Sequence, residues 1–192
     1  MRDDVYVMRR VTTADMKAID AMIAERELWL RERGKHSYGQ GTAVLGLIGQ
    51  PVETSTVVGL FTEEDGQVVG CSVLFSAVSA APGWTAAELR ERTWIVTMSH
   101  SHSHPAFSRD RIGWLMTMWV GDYAARQPDP PEWLRCRVPA ALVAHYRDQL
   151  GWHLVRTLRD QDLGQVSLMQ RRPESSRGAS ALITSLMPVE VL

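Results

Sequence analysis

Apolar residues recur along the chain with two periods, one typical of strands and one typical of helices. The run Val5–Arg10 is rich in β-branched and aromatic residues and predicts a first strand. Helical spacing follows as far as Arg33, with Thr12 or Thr13 as the N-cap and Gly34 as the stop signal. One face of this helix carries Met16, Ile19, Ile23 and Leu30.

A β-hairpin is predicted in the next part of the chain, after a short helix over residues 42–48. Two apolar, strand-like runs, Thr56–Phe61 and Val68–Phe75, enclose the dipeptide Asp65-Gly66. Asp-Gly between two such runs is the strongest short-range signal for a hairpin. A fourth strand is predicted from Thr93 towards Ser103.

The most regular helical pattern covers Arg111–Gln127. Its apolar stripe consists of Ile112, Leu115, Met116, Trp119, Val120, Tyr123 and Ala124, and its polar positions include Asp110, Thr117, Asp122 and Arg126. A strand over 133–138 follows, and then a third helix with Pro139 at its first position and Gly151 at its end. Two more strands are predicted over 153–158 and 166–170.

The resulting order, β-α-(α)-β-β-β-α-β-α-β-β, predicts an α/β fold, of the α+β kind with a mixed sheet of about seven strands flanked by helices. We expect one domain over residues 1–172, because 192 residues suit a single core. Residues 173–192 are Ser/Gly/Arg-rich and then apolar, which predicts a flexible linker followed by a docking segment.

Composition narrows the class of protein. The formal net charge is −1, which argues against a nucleic-acid partner. The two cysteines, Cys71 and Cys136, lie in apolar runs without a CxxC motif, as in reduced cytoplasmic proteins. No long apolar stretch predicts a membrane span. Lysine occurs only at Lys17 and Lys35, an arginine bias that indicates a GC-rich genome.

Candidate chemistry concentrates where the fourth strand meets the long helix. His104-Pro105-Ala106-Phe107 forms a turn, and the helix begins near Gly113 beside Arg109 and Arg111. Unpaired N–H groups at a helix start bind anions, and arginines add charge-assisted hydrogen bonds to phosphate. A plain turn with solvated arginines is the alternative interpretation.

These residues resemble the pyrophosphate loop of the GCN5-related N-acetyltransferase (GNAT) family, in an actinobacterial-like member. The family motif is (Arg/Gln)-x-x-Gly-x-(Gly/Ala), often introduced by His-Pro-Ala-(Tyr/Phe), and Ser108–Gly113 occupies its six positions. Ser108 stands where Arg or Gln is usual, and Arg111 replaces the central glycine, so Arg109 would supply the missing charge. Downstream, Tyr146 and Gly151-Trp152 resemble the family's (Phe/Tyr)-Tyr-x-x-x-Gly-Phe segment, with one extra residue between Tyr146 and the glycine.

The resemblance implies a GNAT-like fold that is splayed between strands 4 and 5, with acetyl-CoA as cosubstrate and no metal. It implies that Tyr146 protonates the departing thiolate and that an N–H near Ser101–Ser103 polarises the thioester carbonyl. The residues expected to bind the cofactor are Ser101, Ser103, Ser108, Arg109, Asp110, Arg111, Ile112, Gly113 and Trp114. The acceptor would be a primary amine of a small molecule, peptide or protein that attacks the thioester directly.

The run Ser-His-Ser-His-Ser-His adds a further hypothesis. On a regular strand His100, His102 and His104 share one face, a spacing that also suits Zn²⁺, although no acidic residue or cysteine accompanies them. His100 or His102 is a candidate general base, and packing beside the cofactor is the alternative. Tyr146 on an apolar helix face is also compatible with a core role. Trp29, Tyr38 and Trp84 come from segments expected to border the acceptor cleft.

Three questions stay open at the level of sequence. The donor can instead be a longer acyl-CoA or an aminoacyl-tRNA, or the chain can be a non-catalytic CoA-binding or interaction module. The apolar end of the tail, Leu182–Val189, can cover a subunit edge in a homodimer.

Overall fold

The computed structural model describes residues 6–35, 41–48, 55–75, 81–90, 92–161 and 164–187, without the side chains of residues 41, 42, 97–101, 108, 110, 179 and 180. Within these ranges the strands are β1 (Tyr6–Arg10), β2 (Ser55–Thr62), β3 (Val68–Phe75), β4 (Thr93–Ser103), β5 (Trp133–Pro139), β6 (His153–Asp160), β7 (Gly164–Arg171) and β8 (Ile183–Ser185). The α-helices are α1 (Met16–Glu32), α2 (Gly41–Leu47), α3 (Ala86–Arg90), α4 (Ile112–Ala125), α5 (Val143–Leu150) and α6 (Arg177–Leu182).

One mixed sheet unites the strands in the order β6-β7-β5-β4-β3-β2-β1-β8. Neighbours are antiparallel except for β4 with β5 and β1 with β8. The predicted mixed sheet is confirmed, with β8 as a strand that the sequence pattern did not predict. Helices cover both faces, because Cys71 of β3 packs in the cluster beneath α1 and α2 while Gly70 beside it faces α4.

The predicted hairpin with its turn at Asp65-Gly66 is confirmed. β2 and β3 pair antiparallel from Ser55↔Phe75 to Phe61↔Val68. Gly66 has a φ of +65°, which a residue with a Cβ rarely adopts. The Asp65 carboxylate accepts hydrogen bonds from the Thr62 hydroxyl and from the Gln67 N–H, and these contacts hold the turn.

A single turn of 3₁₀ helix, Thr13–Asp15, leads into α1. The Asp15 carboxylate accepts from the Thr12 N–H at 2.9 Å and from Arg9 at 2.7 and 2.8 Å, and these contacts lower its pKa to about 2. Thr12 is the N-cap of this 3₁₀ turn, whereas the N-cap of α1 itself is Asp15, three residues after the predicted Thr12. Gly34 ends the helix with a φ of +62°.

Helix α4 is the centre of the larger core cluster. All seven residues of its predicted apolar stripe are buried, and Trp119 stacks on Tyr123 with ring centroids 4.9 Å apart. Its approach to β3 depends on Gly70, where a Cβ would lie 2.7 Å from Met116 Sδ and 2.8 Å from Ile112 Cγ2. The first turn of α4 is thereby set directly against the sheet.

The C-terminal segment differs from the predicted flexible linker. Arg177–Leu182 is helical, and β8 pairs in parallel with β1, so this part of the extension packs on the domain. Asp122 was predicted on the polar side of α4 but is buried. Its carboxylate accepts a hydrogen bond from the Ser176 N–H at 2.9 Å. Ile183 and Met187 enter the core of their own chain, where the sequence suggested a subunit edge.

Two smaller points complete the fold. Pro139 ends β5, opposite Val166, and precedes the 3₁₀ turn Ala140–Leu142, so it is not the first residue of a helix as predicted. None of the described helices is long and apolar enough to cross a membrane.

Candidate active site

Strands β4 and β5 run side by side for only part of their length. Their parallel register extends from Thr93↔Trp133 to Val96↔Cys136. Beyond it, the described pairs of β4 are with β3 on its other side, at His102↔Cys71 and Ser103↔Gly70. The β5 side of β4 thus presents backbone N–H and C=O groups to a gap between the strands, as the predicted splay requires.

A bulge interrupts β4 within this gap. Two steps along β3, from Cys71 to Val73, correspond to five steps along β4, from His102 to Thr97. The prediction that His100, His102 and His104 share one face assumed regular alternation. His102 and His104 keep that alternation opposite Cys71 and Val69, whereas His100 lies in the irregular stretch, where its face stays a prediction. His102 is 4% exposed opposite Cys71, whereas the side chains of His100 and Ser101 lie outside the description.

The turn after β4 is a 3₁₀ helix, Pro105–Asp110, whose N-cap is His104. His104 Nδ1 accepts the Ala106 N–H at 3.2 Å, and Nε2 lies 3.2 Å from the Glu25 carboxylate on α1. With Nδ1 accepting, Nε2 is the ring nitrogen that can donate to Glu25. His104 therefore shapes the loop and ties it to α1, a contact that its place in the histidine run did not reveal.

Arg111 joins this turn to α4 in the left-handed conformation, with φ 54° and ψ 42°. Among the described residues it is the only non-glycine with a positive φ. The loop therefore keeps the backbone shape that glycine favours at the position where the motif has glycine. The exposed Arg111 guanidinium lies 5.3 Å from the Trp114 ring.

The start of α4 is open to a ligand at Gly113 and closed at Ile112. Apart from its chain neighbours and the backbone of its own helix, no atom of the described residues lies within 4 Å of the place where a Cβ on Gly113 would stand. Ile112 is 2% exposed and packs inward, so only its backbone N–H can serve a ligand. The N–H groups of a first helical turn have no partner within the helix and lie at the positive end of its dipole. Exposed Arg109 adds a positive charge, and the side chains of Ser108 and Asp110 lie outside the description.

Tyr146 lies on α5 in the core, 5% exposed, with its ring 6.0 Å from that of Trp152. Burial, and then the nearby Cys136 thiol, raise its pKa above the ordinary value. Cys136 is also the last β5 residue paired with β4, and Tyr146 belongs to the same core cluster. The phenol keeps its proton throughout the neutral range, as an acid or hydrogen-bond donor must.

Two residues of α1 belong to this region although no sequence motif marked them. Glu25 binds His104, and Arg26 Nη1 donates to the Ser103 carbonyl at 3.0 Å and to Ser103 Oγ at 2.8 Å. Both are charged positions of α1 that lie far along the chain from their partners, 77 residues away in the case of Arg26 and Ser103. Only helix packing brings them to β4.

Of the aromatic residues predicted to border an acceptor cleft, Trp29 and Trp84 are described, and they contact different residues. Trp29 is on α1 with the Arg33 guanidinium 4.2 Å from its ring, and Trp84 is buried with Arg135 at 4.9 Å. Tyr38 lies outside the described residues. Within the described part of the chain, no three His, Cys, Asp or Glu side chains come close enough together to hold a metal ion.

Comparison with known proteins gives structural matches only. No protein-family model matches the chain, and no curated protein matches its sequence. A spermidine N-acetyltransferase chimera from Vibrio cholerae and hSSAT superposes with a TM-score of 0.63 at 11% identity, over 88% of this chain and 95% of the other. Aminoglycoside acetyltransferase AAC(6′)-Ib in complex with coenzyme A gives 0.61 at 14% identity, over 91% and 96%. A GNAT-family acetyltransferase from Desulfovibrio desulfuricans gives 0.60 at 11% identity, over 88% and 99%. The chain therefore has the GNAT fold, as its motifs predicted.

Proposed function

We propose that this GNAT-fold chain is an N-acetyltransferase that moves the acetyl group of acetyl-CoA to a primary amine. The observation that carries the proposal is the turn at Arg111, whose left-handed backbone begins α4. This turn follows the end of β4, beyond the part of that strand that pairs with β5. This arrangement accommodates a diphosphate at the start of α4 and an amide-bearing arm in the gap between β4 and β5.

The donor would bind through backbone groups first. The N–H groups of Ile112 and Gly113 would hold diphosphate oxygens, with the bare Cα of Gly113 allowing close approach. Arg109 and Arg111 would add charge, and the unpaired edge of β4 would hydrogen-bond the pantetheine amides. Such positioning of donor and acceptor reduces the entropy cost of reaction, which is worth several orders of magnitude in rate.

The reaction would proceed by direct attack. The neutral amine adds to the thioester carbonyl, and an N–H between Ser101 and Ser103 stabilises the oxyanion, an effect worth roughly 10²- to 10³-fold. The carbon–sulfur bond then breaks, the amine proton passes to His102 or His100 directly or through water, and the thiolate receives a hydrogen bond or proton from Tyr146. The raised pKa of the Tyr146 phenol favours hydrogen-bond donation ahead of full transfer.

Structural relatives support the choice of an amine acceptor. The names of two of them specify spermidine and aminoglycosides, and one is described with coenzyme A bound. These compounds share primary amines and differ in almost everything else. A primary amine is accordingly the acceptor class that we carry over to this chain.

The donor site can be tested at Gly113. Gly113→Asp places a carboxylate in open space at a helix start, where folding tolerates it, and where it would repel a diphosphate. We expect calorimetry to show at least 100-fold weaker acetyl-CoA binding, with isosteric but uncharged Gly113→Asn much less affected. S-acetylpantetheine, which lacks the diphosphate, should bind weakly to all three proteins. Equal acetyl-CoA affinity in the Asp and Asn variants would reject the site.

Turnover is then measured as thiol release with an amine panel of spermidine, an aminoglycoside, lysine and a peptide with a free N-terminus. Cys71 and Cys136 are buried free thiols and give little background in such an assay. Longer acyl-CoA esters and aminoacyl-tRNA compete in the same format and reveal a different donor. Tight acetyl-CoA binding without thiol release from any amine would instead support a non-catalytic CoA-binding module.

A further inference from the structure

Arg26 is a half-buried cation whose partners are neutral. It lies on α1, and its Nη1 donates to the carbonyl and hydroxyl oxygens of Ser103 at 3.0 and 2.8 Å. Both contacts use one nitrogen of the guanidinium. The structure gives Nε and Nη2 no partner among the described residues, so the side of the guanidinium that matches a carboxylate in shape is available.

No negative charge in the described structure compensates Arg26. The adjacent Glu25 is committed to His104, and the sequence of β4 contains no Asp or Glu. The Cys71 thiol near Arg26 stays protonated, because burial raises its pKa to about 12. Burial also lowers the pKa of Arg26, the direction expected for a cation that has lost water without gaining an anion. A desolvated and unpaired charge is unfavourable, which a protein tolerates where a ligand supplies the counter-charge.

The place of Arg26 decides what that ligand is. Ser103 is within the stretch of β4 that, under the proposed function, holds the thioester carbonyl. Arg26 reaches it from the α1 face, whereas the strand edge that would hold the donor arm faces β5. A group bound by Arg26 would therefore lie beside the reacting carbon on the side away from the pantetheine.

We propose that Arg26 binds a carboxylate of the substrate, so that the acceptor is an amine that also carries a carboxylate, such as an amino acid or a peptide. This inference rests on the proposed function, since it assigns the substrate class of the same site. The same carboxylate could also arrive on the donor, as the free end of a dicarboxylic acyl group.

Two matched pairs of probes separate these sources. Lysine and cadaverine differ by one carboxylate on the acceptor, and succinyl-CoA and butyryl-CoA differ by one carboxylate on an acyl group of four carbons. For each pair kcat/KM is measured in wild type, Arg26→Gln and Arg26→Lys. Arg31→Gln, which removes an exposed arginine from the same helix, is the control. Because each ratio is taken within one protein, a loss of folded protein or intrinsic amine reactivity cancels when the variants are compared.

We expect the ratio of lysine to cadaverine, with acetyl-CoA as donor, to fall 10- to 100-fold in Arg26→Gln, the range for a lost charge-assisted pair. Arg26→Lys should recover part of this ratio, and Arg31→Gln should match wild type. A ratio that falls for succinyl-CoA over butyryl-CoA instead assigns the carboxylate to the donor. If Arg26→Gln lowers every rate equally, Arg26 only braces β4 and the proposal is wrong.

Failure of the proposed function has a separate signature. Lysine and cadaverine are also titrated directly into wild type and Arg26→Gln without donor. If no CoA ester binds, the acetyltransferase proposal fails, while Arg26-dependent binding of lysine over cadaverine would still establish the carboxylate site. If acetyl-CoA binds and reacts but the titrations do not depend on Arg26, only the carboxylate site is excluded.

Discussion

Arg111 allows backbone strain and ligand charge to be separated by substitution. Its φ of 54° and ψ of 42° lie in the left-handed region, which costs a residue with a Cβ about 1–2 kcal/mol. Arg111→Gly removes this cost. The greater freedom of glycine in the unfolded chain offsets about 0.5 kcal/mol of the stability that is gained. Arg111→Ala keeps the strain. Both variants lose the same contact with Trp114, so that term cancels between them.

We therefore expect the Gly variant to be more stable than the Ala variant by about 1 kcal/mol, or about 2–4 °C in Tm for a chain of this size. Thermal and urea unfolding of the two proteins measure this difference. Both should bind acetyl-CoA more weakly than wild type, by about tenfold or more if the guanidinium contacts phosphate. Equal stability of the Gly and Ala variants would refute the left-handed turn, and unchanged affinity in both would remove Arg111 from the donor site.

Three other substitutions or conditions test the site and its support. Tyr146→Phe should lower kcat by about 10²- to 10⁴-fold in the thiol-release assay while acetyl-CoA affinity stays near wild type. Gly70→Ala should destabilise the protein by about 1–3 kcal/mol in urea unfolding and weaken acetyl-CoA binding, because its Cβ would lie 2.8 Å from Ile112 Cγ2 at the helix start. Arg156 lowers the pKa of Glu88 from 4.5 to about 2, so this pair stabilises the fold above pH 4.5 and the stabilisation is lost as the pH falls towards 2.

Each of these three tests has a control variant or an outcome that would contradict it. Gly46→Ala lies in α2, where no described atom beyond its chain neighbours and its own helix backbone is within 4 Å of the new Cβ. It should leave both stability and acetyl-CoA affinity close to wild type or slightly improve stability. Wild-type turnover by Tyr146→Phe would make Tyr146 a core residue only. Arg156→Gln should flatten the acid limb of a stability–pH curve, and a curve that is unchanged by it would contradict the pairing with Glu88.

Local patterns predicted most of the elements correctly. The stripe of α4 was confirmed because a long helix with one apolar face has a single way to bury it. The hairpin was confirmed because Asp65-Gly66 suits a turn that needs a positive φ at Gly66. These features depend on residues close together in the chain, where propensity and periodicity act.

The tail and the α1 contacts were beyond such reasoning. The sequence pattern predicts that Asp122 lies on the surface of α4. The chain before α6 packs against it and supplies the Ser176 N–H. The β4 bulge between Thr97 and His102 likewise has no signal in a run of alternating Ser and His. In both cases the outcome depends on which distant segment pairs with the residue.

The sequence by itself determined the periodic elements, the turns and the loop motif at Ser108–Gly113, because each is encoded by neighbouring residues. It also predicted the fold class through the order of those elements. Tertiary structure alone decided that Arg111 keeps a glycine-like backbone, that Tyr146 is buried in the core cluster of Cys136, and that Arg26 reaches Ser103. These are distances between segments far apart in the chain, and packing of the two helical layers on one sheet sets them.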